Sequence, residues 1–334
     1  MDLEKRSTAF GAALIIFAVL LRLVDGALLL PTHASRPEQR PNIRLPGVSI
    51  SAPTAPVPVP TTVPTTEPVT APPETQPPQP EGLCFTAADV GYLQLRTATD
   101  CGYYPDLMPL LLQDLQWQLD SGQPTVLIYH SHATESYAKQ PGQDYTEQAH
   151  CRTTDTAYNM VAVGDALAAL LMEAGIVVIH DRQLHDYPAY SAAYANSGRS
   201  VSEYLAQYPS IRLVLDLHRD AAVGSDGGDY APTVAMGGEL VAQLMIVVGT
   251  NYGGGHHPNW QDNLSVALKL QVLLEKQVPG ITRQTSLRGS RFNQDLSPGA
   301  LLIEVGATGN TLEQVYRALP ILANAIIALR NGTQ

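Results

Sequence analysis

Of the chain's 26 prolines, 15 fall between Pro31 and Pro80, and this one bias limits what can fold. The stretch carries almost no large apolar side chain, so it lacks the material for a core. Proline density holds such a segment extended, and residues 31–82 read as a tether rather than a domain. Ahead of it, Met1 to Arg6 is charged, and an apolar run from Ala9 to Leu30 is broken only by Arg22 and Asp25. If helical, that run would cross a hydrocarbon layer of roughly 30 Å. No clear small-x-small cleavage site follows it, so residues 1–30 read as an uncleaved signal anchor, with a cleaved signal peptide as the alternative. Lys5 and Arg6 would keep the start in the cytoplasm and put the remainder outside, which makes the expected localisation membrane-anchored and extracytoplasmic. The formal net charge of −11 excludes a nucleic-acid binder that works through a basic face.

Globular composition begins near Leu83, and residues 83–331 read as one catalytic domain. Apolar runs at Thr125–Tyr129, Ile176–Ile179, Leu213–Leu217, Gln243–Val248 and Ala300–Val305 are spaced as buried strands. Between the first two, Met160, Val163, Leu167, Leu170, Leu171 and Ala174 keep one helical face, closed by Gly175. Further helices are expected near 190–207, 262–276 and 311–328. Strands apolar throughout and alternating with helices predict an α/β fold, a mostly parallel sheet covered by helices on both faces. Functional residues should then collect at the carboxyl ends of the strands. Three cysteines make no disulfide scaffold, although Cys84 and Cys101 could pair outside the cell. The absence of a C-x-x-C pair argues against a cysteine-ligated zinc site.

The strand ends carry the chemistry. The first runs into Tyr129-His130-Ser131-His132-Ala133-Thr134-Glu135, the third into Asp216-Leu217-His218-Arg219-Asp220, and the fifth holds Glu304 within Leu301 to Gly306. Imidazole and carboxylate are good zinc ligands. A carboxylate within an apolar strand is costly unless paired or bound to a cation. Together they suit metal-assisted hydrolysis, with Zn2+ as the expected cofactor and Glu304 as the base. The structural alternative makes His132 and His218 core histidines and pairs Glu304 with Arg219 or Arg291. His150, His180 and His185 read as hydrogen-bonding or exposed residues. The Gly253–Gly255 run leads to His257 and Trp260, and with Asn293 these are candidates for a substrate groove, Trp260 either stacking on a sugar or anchoring its loop.

Several strings in collinear order, among them Val126 to Tyr137, Tyr158 to Asp165, Leu215 to Asp220, His257 to Asn263 and Phe292 to Gly306, resemble stage II sporulation protein P. The resemblance covers about Pro124 to Leu319. It implies a fold similar to zinc-dependent N-acetylmuramoyl-L-alanine amidases and degradation of peptidoglycan during engulfment in sporulation, with an associated endopeptidase activity. It also implies work beside a lytic transglycosylase and a membrane protein. By position, His132 matches the first metal ligand with His130 close behind, His218 the later ligand, and Glu304 the catalytic glutamate. The middle ligand falls to Asp155, four residues before Asn159, with Glu135 and Glu147 as alternatives. Another zinc hydrolase, a peptidase or deacetylase, and an inactive membrane-tethered wall-binding module are the rival readings.

Overall fold

Val126 and Ile128 pack to one side of their strand and Leu127 and Tyr129 to the other, all four buried. A strand with both faces covered has no polar alternation to display, which is why these runs read as continuously apolar. The computed structural model describes residues 83–97 and 101–333. The expected anchor and tether, residues 1–82, lie outside the described residues. Among the described residues no helix is long and apolar enough to cross a membrane.

The strands are β1 (Leu95–Thr97), β2 (Pro124–Tyr129), β3 (Val177–His180), β4 (Leu213–Asp220), β5 (Thr233–Met236), β6 (Glu239–Ala242), β7 (Leu244–Gly249), β8 (Thr285–Arg288) and β9 (Ala300–Ala307). The α-helices are α1 (Leu107–Leu112), α2 (Met160–Glu173), α3 (Ala193–Gln207), α4 (Trp260–Gln277) and α5 (Leu312–Ala328). Seven strands form one sheet in the order β1-β8-β7-β9-β4-β2-β3, and β5 and β6 form a separate hairpin. Every pairing in the large sheet is parallel except β7 with β9. The sheet is thus mostly parallel, as the alternation of strands and helices predicts.

Helices α2, α4 and α5 cover one face through Val163, Leu167, Leu171, Leu264, Leu268, Val315 and Leu322, and α3 covers part of the other through Val201. Each fully buried Leu, Ile or Val in these layers contributes about 1.5–3 kcal/mol relative to an exposed one. Helix α2 starts where the Asn159 side chain accepts from Val161 N. It ends at Gly175, whose φ of +85° is the left-handed turn that the sequence assigns to a glycine. Before the first long strand the chain forms a short 3-10 turn (Ala87–Tyr92), β1 and α1.

Candidate functional site

In β4, Leu215 and Leu217 face the helical core, so Asp216 and His218 face the opposite side. In β9, Ile303 and Val305 do the same, which puts Glu304 on the side of His218, and the register pairs those two residues directly. The turn after β2 adds two more groups. Glu135 N donates to His132 O over 3.1 Å, so the i, i+3 spacing brings both side chains round to the same end. His132 and His218 meet edge to face with ring centroids 5.3 Å apart. Glu135 Oε2 lies 3.5 Å from His218 Nδ1 and accepts from Arg219 N over 3.2 Å. The structure therefore gathers His132, Glu135, His218 and Glu304 at the carboxyl ends of β2, β4 and β9.

Each imidazole has a carboxylate behind it. Asp216 Oδ1 stands 2.9 Å from His218 Nε2, off the line of a hydrogen bond, and Asp186 Oδ2 stands 3.9 Å from His132 Nδ1. Burial works to lower the pKa of His218, but Asp216 and Glu135 outweigh it and hold it well above the ordinary value. Glu135 sits at about 2: burial opposes ionisation, and His218, Arg219 and Arg152 overcome it. Glu304 is pushed the other way, to about 8, by loss of solvent and by the charges of Glu135 and Asp220, against His218. A groove of about 750 Å³ lined by Arg96, Asp220, Met245 and Arg283 opens one strand away, and Glu304 itself is not among its walls. Met245 is the β7 residue paired with Glu304.

Two imidazoles and a carboxylate are a zinc donor set. Glu304 Oε2 is buried without a hydrogen-bond partner, which costs free energy unless another group engages it, and with His132 Nδ1 and His218 Nε2 turned to Asp186 and Asp216 the opposite ring nitrogens are the ones left for an ion. A carboxylate behind each histidine is the arrangement that orients metal-bound imidazoles. On these grounds the residues fit a zinc ion. Among the described residues only His150, Cys151 and Asp229 bring three ligand atoms within 4.8 Å of one another. The strand-end group is more open than that.

Other expected site residues are placed elsewhere. Asp155 is exposed, and its Oδ1 accepts from Ala157 N within a turn, so the carboxylate brought to the histidines is Glu135. Glu147 is also exposed and accepts from Cys151 N. His130 points into the core beneath α2, its Nε2 2.8 Å from His180 Nε2 and its Nδ1 3.0 Å from Leu217 O. Burial and the neighbouring His180 hold it neutral, with its pKa down at about 3. His130 continues the core-facing side of Val126 and Ile128, and the turn that begins at Ser131 breaks the alternation that would otherwise carry His132 there too.

His257 and Trp260 follow β7, which runs against β9, so their loop leaves from the end of the sheet opposite Glu304. Trp260 packs on the main core and meets Tyr103 edge to face at 5.8 Å, which is the anchoring role. Asn293 donates to Tyr194 O and to Ser197 Oγ, fixing its loop to α3. Arg219 donates to Ser136 O and Cys151 O, and Arg291 pairs with Asp295, so neither supplies Glu304 with a partner.

Sequence reasoning missed Asp186, Arg152, Tyr190 and Tyr194. Asp186 accepts from Thr134, and Arg152 bridges Asp186 and Glu135 at 3.0 and 3.1 Å. Tyr190 stacks on His132 with centroids 4.5 Å apart, and Tyr194 meets its edge at 5.4 Å. Asp186, Tyr190 and Tyr194 come from the loop after β3 and the start of α3, and Arg152 from the β2–α2 connection, and no local spacing ties them to His132.

Comparison with known sequences gives the family. The profile of stage II sporulation protein P matches residues 66–327, and the chain belongs to that family. The match begins inside the stretch read as a tether. Stage II sporulation protein P of Bacillus subtilis (strain 168) is 29% identical over 213 residues, 60% of this chain and 50% of that protein. The chain thus spans about half the length of that relative.

Among solved structures, N-acetylmuramoyl-L-alanine amidase AmiC2 of Nostoc punctiforme is similar with a TM-score of 0.37 at 13% identity, over 62% of this chain and 94% of that one. The CwlD amidase from Clostridioides difficile, solved with the GerS lipoprotein, gives a TM-score of 0.38 at 15% identity, over 62% and 96%.

Proposed function

We propose that this chain is a zinc-dependent peptidoglycan hydrolase of sporulation that cleaves the amide between N-acetylmuramic acid and L-alanine. The observation that supports it most is Glu304, a carboxylate with a buried, unpartnered oxygen that is paired in register with His218. His132, Glu135 and His218 would hold the ion. When bound, zinc supplies Lewis acidity and a water activated near neutral pH.

The chain's own groups do the remainder. Glu304, with its pKa near neutrality, can accept a proton from the attacking water and return it to the leaving amine. Asp216 and Asp186 orient the two imidazoles. Arg152 and Arg219 fix Glu135 so that its carboxylate stays ionised beside His218. Tyr190 and Tyr194 wall His132 on the α3 side. The groove one strand away, walled by Arg96, Met245 and the Asp220–Arg283 ion pair, offers room for the peptide side of the bond. The N-terminal anchor would hold this domain on the outer face of a membrane.

Digestion of purified peptidoglycan followed by mass spectrometry tests the reading. Intact stem peptides with a free L-alanine amino group are expected. Deacetylated glycan, or cross-link cleavage with every stem still attached to glycan, would assign another hydrolase. No product, with the protein retained on the wall, would assign a binding module.

A further inference from the structure

A second set of metal-type donors lies outside the strand-end group. His150 and Cys151 sit in the connection between β2 and α2, and Asp229 in the connection between β4 and β5. His150 Nε2 is 3.0 and 2.9 Å from the two Asp229 carboxylate oxygens and 3.8 Å from Cys151 Sγ. All three residues offer a ligand atom within 4.8 Å of the other two.

Cysteine, histidine and aspartate side by side invite a nucleophilic relay, but the geometry argues against one. A relay needs the thiol on one ring nitrogen and the carboxylate on the other. Here both approach the same atom, Nε2. Sulfur, nitrogen and oxygen converging on one point is what a cation requires. Bonds of about 2.0–2.3 Å to zinc put tetrahedral donors roughly 3.3–3.6 Å apart. The His150–Asp229 separation of 2.9 Å and the His150–Cys151 separation of 3.8 Å lie within a few tenths of an ångström of that range, and Cys151 and Asp229 offer atoms within 4.8 Å of each other.

The backbone holds Cys151 in place. Cys151 has a φ of +48°, a left-handed conformation that is uncommon for a residue with a Cβ. Its Sγ is buried, while the His150 side chain is 71% exposed and that of Asp229 37%, so an ion can enter from solvent. Around this turn Cys151 O accepts from Ser136 N and Arg219 Nη2, and Arg152 reaches Glu135 and Asp186. The geometry points to a second metal site, in which His150, Cys151 and Asp229 bind a zinc-type divalent ion and tie the β2–α2 connection to the β4–β5 connection. Binding releases the thiol proton to solvent, and no redox change is involved. The site does not depend on the hydrolase reading.

Cobalt(II) added to the metal-free full-length chain tests this, because only a thiolate ligand gives intense thiolate-to-cobalt charge-transfer absorption in the near ultraviolet. His132, Glu135 and His218 contain no sulfur. The absorption is expected in the unaltered chain, in Cys84→Ser, and in the double variant His132→Ala/His218→Ala. It is expected to vanish in Cys151→Ser, and in His150→Ala and Asp229→Asn, whose side chains are exposed enough to be replaced without loss of the fold. Each of these three variants should also bind one equivalent of cobalt less. Absence of the band from the unaltered chain, or its survival in Cys151→Ser or in His150→Ala/Asp229→Asn, would overturn the proposal.

Discussion

Two clusters of buried histidine and carboxylate lie a few residues apart at the carboxyl ends of neighbouring strands, and they differ in whether their polar atoms are satisfied. On the β3 side, His130 pairs with His180, His180 with Asp165 at 2.9 Å, and Asp181 accepts from His185, Ser200 and Gln183 N. Gly164 makes room, since a Cβ there would fall on the Nε2 atoms of both His130 and His180. On the β4–β9 side, His132 Nδ1, His218 Nε2 and Glu304 Oε2 have no hydrogen-bond partner. Burial alone therefore does not mark a functional histidine. A closed network is a structural element, and an open one beside a groove is a place for a ligand.

The sharpest break in that comparison is Glu304→Gln. It should cut stem-peptide release roughly 10²–10⁴-fold while the chain keeps its strand-end metal and its melting temperature, since the loss falls on proton transfer. Metal analysis and calorimetry alongside the assay check all three. His130→Ala should behave in the opposite way. Removing a buried ring that holds His180 should cost roughly 2–4 kcal/mol of stability in denaturant unfolding, with the metal still bound.

Smaller effects probe the borders of the clusters. Asp216→Asn should weaken strand-end metal affinity about 10–100-fold in competition with a chelator, because the carboxylate behind His218 no longer orients it. Asp181 gives a pH test. Its folded pKa is lowered from 3.8 to about 2; burial opposes the shift, and hydrogen bonds from His185 and Ser200 produce it. A group depressed on folding stabilises above its unfolded pKa and loses that contribution as pH falls through the folded one. Stability should drop by about 2 kcal/mol between about pH 4 and 2, and Asp181→Asn should flatten that part of the curve.

Much of this molecule was legible in the chain itself. The face formed by Met160, Val163, Leu167 and Leu171 and the stop at Gly175 are local, so they could be read directly. Strands β2, β4 and β9 read as apolar runs because both their faces are covered, and His218 and Glu304 stood out by interrupting that pattern. What stayed hidden depends on pairing. β8, Thr285 to Arg288, has one large apolar residue and takes its strand form from neighbours. The reversal of β7 moves His257 and Trp260 to the far end of the sheet, and nothing in Leu244 to Gly249 encodes direction. Glu135 was legible as His132-Ala-Thr-Glu135, one turn bringing two donors together. Counting back from Asn159 led to Asp155 instead, although Asn159 serves as a helix cap.

The choice between those two carboxylates is the most direct test of the account. Metal content of Glu135→Ala and Asp155→Ala, measured by mass spectrometry of the intact chains under mild conditions, separates them. Glu135→Ala should lose one zinc equivalent together with stem-peptide release, and Asp155→Ala should keep full zinc and activity. Zinc and activity retained in Glu135→Ala but lost in Asp155→Ala would contradict it.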